Sequence, residues 1–365
     1  SARSASGRDG AVVLGGGGGG RVAISGGATA GGSVEISGHD VSISGTIDAR
    51  GGDGVTAPAG VMLVAAGNDI QIEPTGLLLA NGTDGGRIGL VAGGVAGIAG
   101  RIAADGSVTG GSIDITGRDI VVSGATVSAI GGLRGGLVRI GGAFRGGKDT
   151  DPTTPDGMAF VGRFGAPQEL ASAETTRIDA ASTIEVSATG MGGLAGTVIV
   201  WSEARTDAAG AVRAQDRVGA GAVELSSRGV LGSLNLPGVV LARGGRLLLD
   251  PKNIFVSNGA TDSAGNIAYD GGSGTSIISS VDLSDLIVRH GISVSLEASN
   301  DIVISNTLGF STGGFAVNYG DLTLRAGRSI FVFGDLLLRS TDGLSSNVTL
   351  LANDPAAVGP RDPGE

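Results

Sequence analysis

The chain predicts an all-β solenoid, a rod of stacked parallel strands, on three observations. Small-residue, β-branched runs restart about every 25 residues, and self-similarity at such a period marks a repeat architecture. Each repeat holds three short alternating runs, which are strands of period two and too short for helices. Glycine supplies 71 of 365 residues, yet 41% of the chain is hydrophobic and its mean hydropathy is +0.28. A chain of that balance can bury a core, unlike a disordered low-complexity sequence.

The runs begin at Gly31 (GGSVEISGHD), Gly60 (GVMLVAAGND), Gly110 (GGSIDITGRD), Gly244 (GGRLLLDPKN), Ile292 (ISVSLEASND), Gly320 (GDLTLRAGRS) and Ser345 (SSNVTLLAND). They end on Asp40, Asp69, Asp119, Asn253, Asp301, Ser329 and Asp354. Four more, from Gly85, Gly135, Ala195 and Ala220, fit the frame without the acidic end. After GGSVEIS come DVSIS and GTIDARGG; after GGSIDITG come DIVVS and ATVSAIGG. Three runs per coil predict three parallel sheets around a narrow interior, joined by short bends instead of helical crossovers. The intervals from Gly135 to Ala195 and from Gly244 to Ile292 are about twice the others and read as two turns each, the first with an insertion. The count is then about 13 coils, and at roughly 4.8 Å per coil the rod is on the order of 60 Å long.

The core must be thin, because aromatics make up 3% of the chain and none precedes Phe144. Residues 1–250 read as the parallel β-helix, with GGGGGG at Gly15–Gly20 as a turn into the strand RVAIS and a protruding loop at 142–172. Residues 251–365 continue it, with an insertion at 258–291 that ends in a short peripheral helix near 280–290. Ser280 is the expected cap, Asp282 and Asp285 sit early, Arg289 and His290 late, and Leu283, Leu286 and Ile287 form a stripe laid against the rod. The Pro-rich tail 353–365 should end the winding.

Several functions are disfavoured. No cysteine is present, so there is no disulfide or thiolate metal site. A net charge of −10 without a basic stripe argues against nucleic acid. No stretch of 18 apolar residues occurs and SARSASGRDG has no signal-peptide core, so the expectation is a soluble, mature or excised piece of something longer. His39 and His290 are far apart and read as surface residues. The aspartate column suggests calcium or paired acid–base chemistry, but Asn253 and Ser329 share its position, which favours side chains that accept local backbone N–H bonds in a turn. Trp201 continues VIVW and reads as a partly buried structural residue rather than a sugar platform. The residues expected to touch a partner are Phe144, Arg145, Lys148, Phe160, Arg163 and Phe164, aromatics and cations on the protruding loop; phenylalanines folded back over the sheet are the competing reading. Charged residues are 16% and dispersed, so the chain is expected to be no enzyme and to carry no catalytic residue, cofactor or metal.

GGSVEISG, GGLVRIGGAFRGG, DAASTIEVSATGMGGLAGTVIVWSEART (Asp179 to Thr206) and above all LLLDPKNIFVS (Leu247 to Ser257) resemble filamentous-haemagglutinin-like exoproteins of Gram-negative two-partner secretion systems. The segment SSVDLSDLIVRHGISVSLEASNDIVI, with GDLTLRAGRSIFV after it, is similar to the region downstream of LLLDP in that family, whereas DAAGAVRAQDR after WSEART departs from its pattern. The resemblance implies a right-handed coil, secretion through an outer-membrane partner, and location outside the cell or on its outer surface. The expected function is an extracellular adhesin-like rod that binds a host or matrix receptor, protein or glycan. Its alternatives are a self-assembling surface filament or matrix subunit, through end-to-end or lateral contacts, and a polysaccharide-degrading β-helix enzyme.

Overall fold

The structure is a computed structural model of the chain and describes residues 11–17, 19–50, 58–147, 170–218, 221–258, 274–309, 320–337, 346–355 and 357. Alternation of β-branched and small residues produces short strands that pair in parallel with the strands one coil away. The first face is a twelve-stranded sheet in chain order, from Ala11–Gly15 to Val348–Leu351. The second runs through eight strands from Arg21–Ile24 to Val230–Leu234, and the third through eight from Gly27–Thr29 to Val239–Leu241. The architecture is therefore a β-solenoid of about 11 turns, about 26 residues apart.

The coil count falls below the expected 13 because both long intervals are single turns of the first sheet. Leu137 pairs directly with Thr197, and Arg246 directly with Ser293. The extra residues leave the coil at a corner, where a parallel ladder tolerates any length of chain so long as its ends stay one strand apart. The second excursion also adds a strand. Thr275–Ser279 pairs with Asn253–Ser257 and lies beside Val230–Leu234, the Leu231 N–H donating to Ser276 Oγ at 2.8 Å.

Inward side chains stack in register up the bore. Val34, Met62, Ile88, Ile113, Val138 and Val198 form one such column, each at most 1% exposed. Burial at roughly 1.5–3 kcal/mol per side chain is what stabilises so thin a core. Corner glycines allow the coils to approach: a Cβ on Gly111 would strike the Gly86 carbonyl of the preceding coil.

The helix forms where expected, but it is not peripheral. A turn of α-helix, Ser280–Ser284, continues as a π-turn, Asp285–Arg289, and stands in the third face between strands Val239–Leu241 and Leu308–Gly309. Leu283, Leu286, Ile287 and Val288 enter the same core as the strand columns. The cap is Ser279, whose Oγ accepts the Asp282 N–H at 3.2 Å; Ser280 is buried and instead donates to Asn258 Oδ1 at 2.6 Å.

Candidate functional site

The described part of the first excursion is a turn that folds back onto the outer face of the long sheet. Strand Leu137–Ile140 ends at Gly141, and Phe144–Gly147 forms a 3-10 turn with Arg145 in the left-handed region at φ 48°. Phe144 is half-buried on Leu137 and Ile199. Trp201 is buried against the same turn: a Cβ on Gly142 or Gly146 would run into its indole. Glycine is therefore required at both positions for close approach.

Arg145 is not offered to solvent. Its backbone N–H donates to Glu224 Oε1 at 3.0 Å, and its guanidinium Nη2 donates to Glu297 Oε1 at 2.6 Å. Arg145 thus spans three strands, since Leu248 separates Glu224 from Ser295 in the ladder and Glu297 lies two residues beyond Ser295. Glu224 and Glu297 are 1% and 2% exposed. Burial pushes the Glu224 carboxyl up to about 8, against the opposing hydrogen bonds of Ser226 and the Arg145 N–H. Arg325 carries the cluster outward, 3.7 Å from Glu297 and 3.0 Å from Asp354. The cluster itself lines a cleft of about 360 Å³, together with Arg246, Ser293, Asp321 and Thr323.

A carboxylate that exchanges protons with a substrate must reach it. Glu224 and Glu297 expose almost none of their own surface, and their contacts with Arg145 anchor the turn. Of the residues expected to touch a partner, the structure brings Phe144 and Arg145 together on the sheet, with the guanidinium 5.4 Å above the Phe144 ring. Lys148, Phe160, Arg163 and Phe164 lie outside the described residues.

Four members of the aspartate column accept backbone N–H bonds as expected, but the bonds are not local, while Asp119 accepts instead from Arg118 Nε and Thr175 Oγ1. Asp69 Oδ1 accepts from Val95 N at 2.8 Å, Asn253 Oδ1 from Asp301 N at 3.3 Å and Asp301 Oδ1 from Ser329 N at 3.1 Å. Asp40 accepts from Asn68 Nδ2 at 2.9 Å and from Asp69 N at 3.4 Å. These four side chains clamp the next coil at a corner, where ladder bonds lapse and an amide would otherwise be orphaned. Other corners use the same device: Asn81 takes Asp105 N and Asp321 takes Asn347 N, both at 2.8 Å. Among the described residues no group of three His, Cys, Asp or Glu side chains is placed to hold a metal ion. His39 is exposed, and His290, also exposed, lies 3.2 Å from Asp285.

Sequence reasoning missed Glu224 and Glu297. A signal was present: TVIV and RLLLD are unbroken apolar runs where alternation should prevail, and such runs mark strands covered on both faces. No helix among the described residues is long and apolar enough to cross a membrane. No protein-family model matches the chain, and no curated protein matches it.

Proposed function

We propose that the chain is an extracellular structural and binding rod, the adhesin-like segment of a secreted exoprotein of the filamentous-haemagglutinin-like kind. The observation that carries this reading is the unbroken twelve-strand ladder over an aliphatic bore, with a large excursion pinned to its side by Arg145. A stiff repeat spends its sequence on backbone pairing and leaves loops as the variable parts, so many weak contacts act together through multivalency. The resemblance of LLLDPKNIFVS and WSEART to that family supports export through an outer-membrane partner and a host or matrix receptor.

The test is retention of the purified chain on immobilised cells, matrix proteins and glycans. Saturable retention that disappears when residues 148–169 are replaced by a short Gly-Ser linker, with far-UV circular dichroism unchanged, is the expected result. Absence of retention on every surface counts against the rod as a binder. Release of reducing sugar from any polysaccharide would replace it with the enzyme reading.

A second reading is a self-assembling filament or matrix subunit, since parallel coils of one cross-section can pair edge to edge. Electron micrographs and sedimentation distinguish the two, because short dispersed rods at every concentration remove the filament.

A further inference from the structure

The seat of the Gly141–Gly147 turn depends on one side chain that is chemically out of place. Glu224 stands at an outward position of its strand, flanked in the ladder by Ile199 and Leu248, 1% exposed at the floor of the cleft. Its carboxyl receives the Arg145 N–H at 3.0 and 3.2 Å on its two oxygens. Arg145 accepts a left-handed backbone, which costs a non-glycine residue about 1–2 kcal/mol, and its guanidinium is committed to Glu297.

We propose that this seat is a proton-controlled latch: the turn lies closed on the outer face while Glu224 is protonated, and it opens when Glu224 ionises. The charged groups on the described elements packed around Glu224 are Arg145 of the turn, Arg246 and Asp250 on the adjacent strand, Glu297 on the strand after it, and Arg325 and Asp321 beyond. Strand Thr197–Val200 on the other side brings none. Burial is the main force against an ionised Glu224, because the carboxylate would lose its hydration, and the nearby Glu297 carboxylate adds like-charge repulsion. Protonated Glu224 accepts the Arg145 N–H without either penalty.

The direction of the pH dependence is set by linkage. Glu224 holds its proton up to about pH 8 in the closed seat, against an ordinary value of 4.5 when released to solvent. The closed state therefore binds more protons between those values, so closure is strongest below about pH 4.5, weakens as pH rises and is weakest above about 8.

Trp201 is the only tryptophan and lies against Gly142 and Gly146, so it reports the seat directly. Acrylamide quenching of its fluorescence should rise at least about twofold between pH 5 and pH 9 in the natural chain, with far-UV circular dichroism unchanged, as the closed state loses its proton. Glu224→Gln, a neutral isostere, should remain equally protected at both pH values. Equal protection of the natural chain at pH 5 and pH 9, or the same rise in Glu224→Gln, would overturn the latch. If Glu224→Gln fails to fold, carboxyl carbon-13 titration of Glu224 in the natural chain decides: a raised midpoint that coincides with the change in Trp201 supports it, and an ordinary glutamate midpoint overturns it.

Discussion

Between Ala11 and Ala92 the outward rows of the long sheet hold Val13, Leu63 and Val91, 66%, 39% and 47% exposed. From Ser112 onward the same rows hold Asp114, Arg139, Glu224 and Glu297, none more than 6% exposed. In the first region the outward row is bare, the charged Glu35 and its apolar neighbours alike, while in the second charges and the apolar Ile199 and Leu248 are buried together, although both regions share one register and one set of inward columns. The difference teaches that the pleat decides which way a side chain points, while what lies over the outer face, as the Gly141–Gly147 turn does at Ile199 and Glu224, decides whether an outward position meets solvent. Once covered, an outward charge needs a partner. Asp114 receives a forked pair from Arg139, at 2.7 and 2.9 Å, plus Arg87 at 3.1 Å, and Glu297 receives Arg145.

The largest effect should come from the feature common to both regions. Ile113→Asp places a charge in the bore and should cost more than about 4 kcal/mol, enough to lose the cooperative unfolding transition in urea. Next comes the covered region: Arg145→Ala leaves Glu297 buried without the guanidinium that pairs with it and should cost about 3–5 kcal/mol in the same titration. A pair of truncations sharpens the contrast. Leu248→Ala, in the covered outward row, should cost about 2 kcal/mol, whereas Leu63→Ala, in the bare one, should stay below about 1 kcal/mol. Equal losses would mean that the two faces are covered alike.

Smaller effects fall at the corners. Asp69→Ala orphans Val95 N and should cost about 1 kcal/mol, while Asp69→Asn keeps an acceptor and should cost almost nothing. At Asp179 burial pushes the carboxyl up, but hydrogen bonds from Ser182, Ser123, Gly124 N and Ala181 N outweigh it and bring the group down to about 2. A depressed carboxylate stabilises the fold above its ordinary value of 3.8, and that stabilisation is lost as pH falls toward 2. The difference in thermal midpoint between the natural chain and Asp179→Ala should therefore shrink between pH 4 and pH 2, as followed by circular dichroism.

Much of the fold was legible because its signals are short-range. The runs from Gly31, Gly60 and Gly110 located their strands, and Ile113, Ile115, Ile120 and Val122 lie inside as the period-two alternation of SIDIT and DIVV requires. The helix was legible from Leu283, Leu286 and Ile287, but its place within the third face was not, because an apolar stripe does not say which gap it fills. The number of turns was misjudged for a related reason: interval length records residues, not rungs. The candidate site was less legible still. Arg145 looked like an exposed cation on a loop because its partners lie 79 and 152 residues away, at Glu224 and Glu297.

By itself the sequence determined the repeat, the inward face of each strand, and the acceptor residues that recur at the corners. These arise from period-two alternation and from groups that satisfy nearby amides, so a window of one coil contains the information. Only the tertiary structure decided that Leu137 meets Thr197, that a helix replaces a strand of the third face, and that Arg145 closes over two acids. Contacts across such separations depend on where a long excursion comes to rest. Its length alters the closure entropy only slowly, and the resting place is chosen by the groups it finds on the wall.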